Sequence, residues 1–329
     1  MHISEVPTPA LVVDSQLLDQ NIAAMSAVLP GALLRPHVKA HKTTELARRQ
    51  RVAGHPGFTC ATIREVEGMA SAGLGQDLLL ANEVTDARRL GAVIESGARV
   101  TLAVDSEATI RAAAAGGVRE VAIDVNIGLP RCGCSPERAG ALADFARSLG
   151  LEVRGVMGYE GHLMQVTADL NQAELVEQSM ALLLKASADV GGDLVSAGGT
   201  GTYAVNTWAT EIQAGSYALM DTTYATTVPF AHALTLMATV ISVSDGWSVC
   251  DIGLKSLAMD HGNPTIPGAA VWFCADEHTI FAPEKPVAVG DRVRALPAHI
   301  DPTVAMHQRM HVVEGDSVVE VWDVDLRGW

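Results

Sequence analysis

From residue 15 to about 28, apolar side chains fall at Leu17, Leu18, Ile22 and Met25, with Leu29 following, which is the spacing of a helix with one buried stripe. Ser15 or Asp14 stands where its N-cap belongs. Just before it, Ala10-Leu11-Val12-Val13 is an unbroken apolar run and predicts a short strand. The same grammar then repeats. Strands are predicted at 32–38, 57–61, 77–81, 99–104, 120–126, 151–159, 192–197 and 211–217, and helices at 43–53, 63–72, 86–96, 107–115, 136–149 and 168–190. Eight strands, nearly all followed by a helix, predict an α/β fold: a closed parallel (β/α)8 barrel with helices outside. An open doubly wound sheet is the alternative, but the first barrel strand is not followed by a Gly-x-Gly-x-x-Gly turn.

Past Tyr217 the pattern changes. The stretches 234–244, 247–251, 269–273, 278–281, 292–296, 310–314 and 317–323 are short and divided by Gly, Pro, Asp and Asn. They predict a smaller, mostly antiparallel β-domain. The boundary falls near 227–232, giving a barrel over 10–228 and a β-domain over 229–329.

Composition narrows the class of function. With 329 residues and 48% apolar side chains, the chain can bury one large core and a second smaller one. A formal net charge of −15 without a basic block argues against nucleic acid or an anionic membrane as partner. No apolar run reaches membrane-spanning length. The first seven residues, Met1 to Pro7, lack the basic and apolar regions of a secretory signal. The five cysteines form no disulfide framework, so a reducing cytoplasm is expected.

Candidate chemistry gathers at predicted strand ends, where parallel α/β folds place their sites. Arg35-Pro36-His37-Val38-Lys39-Ala40-His41-Lys42 ends the first barrel strand. Alternation along a strand would send His37 and Lys39 to one face. A lysine there, amid other cations, loses its proton more readily through desolvation and like charge, and a neutral amine can attack an aldehyde. After the fifth strand comes Asp124-Val125-Asn126-Ile127-Gly128-Leu129-Pro130-Arg131-Cys132-Gly133, in which Arg131 offers a fork of donors to an anionic oxygen. Cys132 and Cys134 form one isolated Cys-x-Cys pair, too little for a metal site. After the sixth strand, Tyr159 can hydrogen-bond a ring and His162 can move a proton. After the seventh, the small residues and hydroxyls of Gly198-Gly199-Thr200-Gly201-Thr202 suit an anion, and Gly215-Ser216-Tyr217 ends the eighth; a phosphate commonly sits after these two strands of a barrel. In the β-domain, His299 and Asp301 lie two apart, on one face if extended, and a mixed N/O pair suits Mn²⁺, Mg²⁺ or Co²⁺.

These motifs resemble those of the D-threonine aldolase and D-serine dehydratase-like family, the alanine racemase-like (fold-type III) pyridoxal-phosphate enzymes. The resemblance runs over nearly the whole chain. It implies that Lys39, with His37 near it, holds pyridoxal 5'-phosphate as a Schiff base. It implies that Arg131 approaches the phenolic oxygen of the cofactor or the substrate carboxylate, and that Tyr159 and His162 serve the ring and acid–base chemistry. Thr200, Gly201, Thr202, Gly215, Ser216 and Tyr217 would bind the phosphate. Asn126 departs from the family pattern, which has Asp there. His299-x-Asp301 matches the metal motif of the aldolases, whereas the eukaryotic D-serine dehydratases carry His-x-Cys, fitting Zn²⁺. The N-terminal strand, 1–9, would join the β-domain, and a homodimer with shared sites would form. The implied reaction is cleavage of a small D-3-hydroxy-amino acid to glycine and an aldehyde. The alternatives are a D-serine or 3-hydroxy-D-aspartate dehydratase or aldolase, and a cofactor-binding homeostasis protein.

Overall fold

The structure is a computed structural model and describes residues 1–167 and 170–329. Strand β1 (Ala10–Asp14) and helix α1 (Ser15–Val28) open it at the predicted places. Asp14 is the residue that caps α1: its carboxylate accepts the amides of Gln16 and Leu17, both at 3.0 Å. The chain forms two compact units. One comprises Met25–Lys39, Thr44–Gly215 and Leu326–Trp329; the other comprises Met1–Ala24, Ala40–Thr43 and Ser216–Asp325.

The first unit is the barrel. After α2 (Thr44–Val52) come β2 (Phe58–Cys60), α3 (Ile63–Ser71), β3 (Leu78–Leu80), α4 (Arg88–Glu95), β4 (Val100–Val104), α5 (Glu107–Ala115), β5 (Glu120–Asp124) and α6 (Ala139–Ser148). Then follow β6 (Glu152–Met157), α7 (Gln172–Val190), β7 (Leu194–Ala197) and β8 (Glu211–Ile212). The seven strands β2 to β8 pair in sequence order, each parallel to the next. The expected start of α7, at 168, lies outside the described residues.

The eighth position of the ring is occupied by an extended segment. Leu34 bridges Ile212 and His37 bridges Thr59, so 34–37 links β8 to β2. The predicted strand at 32–38 is therefore corrected to two isolated bridges. Gly31–Leu33 and Val38–Ala40 are single 3-10 turns on either side, and Pro36 has no N–H to donate. The alternation of His37 and Lys39 falls with it, since Lys39 rides the second turn. The strand predicted at 211–217 likewise stops at Ile212 and gives way to a turn at Ser216–Ala218.

Alternation along the strands divides the barrel cleanly. Phe58, Leu78, Leu80, Leu102 and Val104 are fully buried in the large core cluster that also takes in Val66, Met69 and Leu90 of α3 and α4. Each such side chain contributes about 1.5–3 kcal/mol by leaving water. Leu79, Ala103, Ala122, Met157 and Leu194 form a second, separate apolar cluster. An ion-pair network draws on the N-terminal ends of the strands: Arg35 bonds Glu211 and Asp77, both at 2.6 Å, and Asp77 also takes Arg154 at 2.9 Å.

The second unit is a mixed sheet. Its strands are β1, β9 (Leu234–Ser244), β10 (Trp247–Cys250), β11 (Ala269–Cys274), β12 (Thr279–Pro283), β13 (Arg292–Ala295), β14 (Arg309–Glu314) and β15 (Ser317–Asp323). They run in the order β11-β12-β10-β9-β1-β14-β15, with β13 also on β9. Only β1 and β14 pair in parallel; β9 flanks β1 antiparallel on the other side. The expected β-domain is present, with one addition: α8 (Ile300–Met306), which the sequence pattern did not predict. Among the described residues no helix is long and apolar enough to cross a membrane.

Candidate active site

Lys39 sits half-buried on the turn Val38–Ala40, past the segment that closes the barrel, and its amide points to His37 Nδ1 at 3.4 Å. Arg35 is not one of a group of free cations around it. Its guanidinium is buried and neutralised, and the Glu211 and Asp77 carboxylates raise its pKa against the pull of burial. Burial works to raise the Asp77 carboxyl, but Arg35 and Arg154 outweigh it and hold Asp77 below its ordinary value.

The loop after β5 is built by Asn126. Its side-chain amide donates to the Leu129 carbonyl at 2.8 Å and its side-chain oxygen accepts the Gly128 amide at 3.0 Å. A carboxylate has no donor and cannot do both, which gives the departure from Asp at this position a physical reason. Backbone bonds from Asn126 to Cys134 at 2.9 Å and from Cys134 to Asp124 at 2.9 Å close the loop. Arg131, carried at its tip, lies over the Tyr159 ring at 5.2 Å, a cation–π contact, and both line one small cleft with Asp124 and Asn126. The buried Asp124 carboxyl is pushed well above its ordinary value by burial and by the Glu83 charge, with Arg131 opposing. Burial pushes the Cys132 and Cys134 thiols up to about 11, away from the low values of reactive cysteines.

Tyr159 is held by close backbone. A Cβ on Gly161 would stand 2.4 Å from its ring, and one on Gly199 would stand 3.4 Å away. His162, exposed on the turn Gly161–Leu163, packs on Gly128. The tie between the loops after β6 and β7 is Glu160, which sequence spacing did not single out. It is fully buried and accepts the Gly198 amide at 3.1 Å, the Thr202 hydroxyl at 2.8 Å and the Asn206 side chain at 2.9 Å. The Thr202 hydroxyl thus donates to Glu160 while accepting from the Gly199 amide. Thr200 and Gly201 are buried beside it. Gly215 ends the barrel unit, whereas Ser216 and Tyr217 belong to the other unit, where Tyr217 is fully buried against Phe230 with ring centroids 5.7 Å apart.

In the second unit His299 is the extended N-cap residue of α8, so His299 and Asp301 do not share a strand face; Asp301 lies in the first helical turn. Both act on the buried Asp221 carboxyl. Asp221 accepts the Ile300 amide at 3.1 Å and the Tyr224 amide at 3.2 Å, pinning the residue between the pair, and burial raises its pKa. His299 meets two residues that the sequence did not mark, Asp260 and His261. Their donor atoms and His299's lie within 4.8 Å of one another.

Residues 13–223 match the family model of the alanine racemase N-terminal domain, and residues 233–313 that of a serine dehydratase domain. The chain is 32% identical to a D-threonine aldolase of Arthrobacter, covering 99% of this chain and 94% of that one. The solved D-threonine aldolase of Filomicrobium marinum superposes with a TM-score of 0.93 at 30% identity, over 99% of this chain and 97% of its own. A cysteine-to-alanine variant of D-threo-3-hydroxyaspartate dehydratase, solved in the metal-free form, gives 0.89 at 26% identity over 100% of both chains. With a barrel and a β-domain that each match, and a relative this similar from end to end, the chain belongs to the D-threonine aldolase and D-serine dehydratase-like family of alanine racemase-fold proteins.

Proposed function

We propose that this chain is a carbon–carbon lyase, dependent on pyridoxal 5'-phosphate and a divalent metal, that cleaves D-threonine-like 3-hydroxy-amino acids to glycine and an aldehyde. The observation that carries the proposal is the Arg131–Tyr159 pair, a fixed cation on a phenol ring in one cleft at the ends of β5 and β6. End-to-end similarity to a D-threonine aldolase supports the reaction class.

The donor set suits the cofactor. Lys39 would offer an amine to its aldehyde, Tyr159 and His37 would serve its ring, and Thr200, Gly201, Thr202, Gly215, Ser216 and Tyr217 are assigned to its phosphate. The buried Thr59 hydroxyl, in register with His37, has no hydrogen-bond partner among the described residues, a polar group that a bound polar ligand would satisfy. When bound, pyridoxal phosphate supplies an electron sink for the Cα–Cβ bond. Arg131 binds and orients the substrate carboxylate. His162 takes the β-hydroxyl proton. His299 and Asp301 would hold the metal, an N/O donor pair that suits Mn²⁺, Mg²⁺ or Co²⁺ and also occurs with Zn²⁺; such an ion would supply Lewis-acid activation of a hydroxyl.

Cofactor binding is assigned to 10–228 and the metal to 229–329 with 1–9. A homodimer with shared sites is part of the proposal, supported by Trp247 and Trp272, exposed and paired 6.2 Å apart on β10 and β11. Five free cysteines fit a reducing cytoplasm. Similarity to a D-threo-3-hydroxyaspartate dehydratase favours dehydration, of that substrate or of D-serine, as the second reading. Purified protein incubated with cofactor, Mn²⁺ and D-threonine should yield glycine and acetaldehyde in equal amounts. Formation of 2-oxobutanoate instead would assign a dehydratase, and turnover unaffected by Lys39→Ala would sink both readings.

A further inference from the structure

We propose that Asp260 is a positioning residue for metal binding, fixing the proton and the orientation of His299. The inference rests on the reading above that His299 is a metal ligand, and it adds a residue outside the His-x-Asp motif.

The Asp260 carboxylate lies 2.6 Å from His299 Nδ1. A carboxylate accepts and does not donate, so Nδ1 carries the proton of this bond and Nε2 is the nitrogen left to face a metal ion. The ring is thereby poised as a metal ligand before any ion arrives. His261 lies parallel to it, with ring centroids 4.1 Å apart and 1° between planes. An imidazole lone pair lies in its ring plane. Two stacked, parallel planes cannot aim their lone pairs at one ion bound at about 2 Å. The three neighbouring residues therefore do not form one three-ligand centre in this arrangement. His299 is the ligand, Asp260 holds its far nitrogen, and His261 covers its face.

The surroundings fix this arrangement from both ends. The Thr223 hydroxyl donates to the Ala298 carbonyl at 2.5 Å and takes its second bond from His261 Nδ1 at 3.1 Å. The buried Thr303 hydroxyl donates to the His299 carbonyl at 2.7 Å and accepts the Ala258 amide at 3.0 Å, tying the strand of loop that carries Asp260 to the start of α8. His307 bonds the Ser256 carbonyl at 2.7 Å, further back along the same loop.

The test is Mn²⁺ titration of the purified full chain, with free ion read by electron paramagnetic resonance and bound water by proton relaxivity. Asp260→Asn should weaken Mn²⁺ binding about 10–100-fold, the usual effect of removing such a partner, and Asp260→Ala by more, with unchanged thermal unfolding of the metal-free protein. The water count on the bound ion should stay that of the parent. An Asp260→Asn protein that binds Mn²⁺ as tightly as the parent, while His299→Ala does not bind, overturns the positioning role. One extra bound water in Asp260→Asn also overturns it, because Asp260 would then be a direct ligand. If His299→Ala itself binds as tightly as the parent, it is the metal reading of His299 that fails.

Discussion

Gly128 and His162 touch so closely that a side chain at 128 would collide with the imidazole. A Cβ on Gly128 would stand 2.6 Å from His162 Cε1, and φ at Gly128 is +129°, where side chains are strained. Gly128→Ala should displace the imidazole and lower kcat about 10–100-fold, the cost of a misplaced catalytic group. In a His162→Ala background the same substitution should cost little more. Steady-state kinetics of the four proteins in the cycle measure this; additive losses would show that Gly128 does not act through His162, and an unchanged kcat in His162→Ala would show that His162 takes no part in the reaction.

Asn126 is expected to be intolerant of the family's own residue. Asn126→Asp removes the donor to the Leu129 carbonyl and sets a carboxylate against it. Stability should fall by about 1 kcal/mol, the lower end of the cost of an unsatisfied acceptor, because this bond is only part-buried. The loop that carries Arg131 should loosen, raising KM for D-threonine. Urea unfolding and steady-state kinetics give both numbers, and an unchanged KM would show that the loop does not set the position of Arg131.

The buried network around Arg35 predicts a purely structural loss. Arg35→Ala leaves Glu211, 8% exposed, and Asp77 without their shared cation. The protein should lose about 3–5 kcal/mol, as expected when one partner of a buried ion pair is removed. Urea unfolding should register the loss. Double replacement of Arg35 and Glu211 by apolar residues of similar size should recover part of it.

Acid should weaken the fold from near neutrality downward. Burial lowers the pKa of His307 and of His55 below 6.5, so in the folded chain both stay neutral where the unfolded chain takes up protons. Their contribution is complete above 6.5 and is lost as pH falls from 6.5 towards the depressed folded values. The urea midpoint should therefore drop between about pH 7.5 and about pH 5.5, and His307→Gln should flatten part of the slope. A midpoint independent of pH across that window would contradict the burial of these imidazoles.

What was legible in the sequence follows physical periodicity. The helices at Ser15–Val28 and Glu107–Ala115 and the strands at Leu234–Ser244 and Ser317–Asp323 end where their apolar spacing ends. The segment 34–37 misled because its burial is that of a strand, while Pro36 and the flanking turns deny it a ladder. Helix α8 was missed because seven residues that include Pro302 and the β-branched Thr303 and Val304 carry little helical signal. At the site, residues inside motifs were found; Glu160, Asp221 and Asp260 were not. Each is a single acid with a partner far off in sequence, Asp221 being 79 positions from Ile300 and Asp260 39 from His299, and no local spacing announces such a pair.

Strand β1 occupies the middle of its sheet, with Leu11 in register with Leu236 on one side and Met310 on the other. Translation makes this strand before either neighbour: β9 begins at Leu234 and β14 at Arg309. Its apolar residues must therefore wait while roughly 220 residues are added before β9 emerges and roughly 300 before β14 does, which at roughly 5–20 residues per second is tens of seconds. During synthesis the chain thus carries an open, sticky edge whose proper mates do not yet exist. Holding chaperones that cover this strand until β9 and β14 emerge would therefore raise the yield of folded protein.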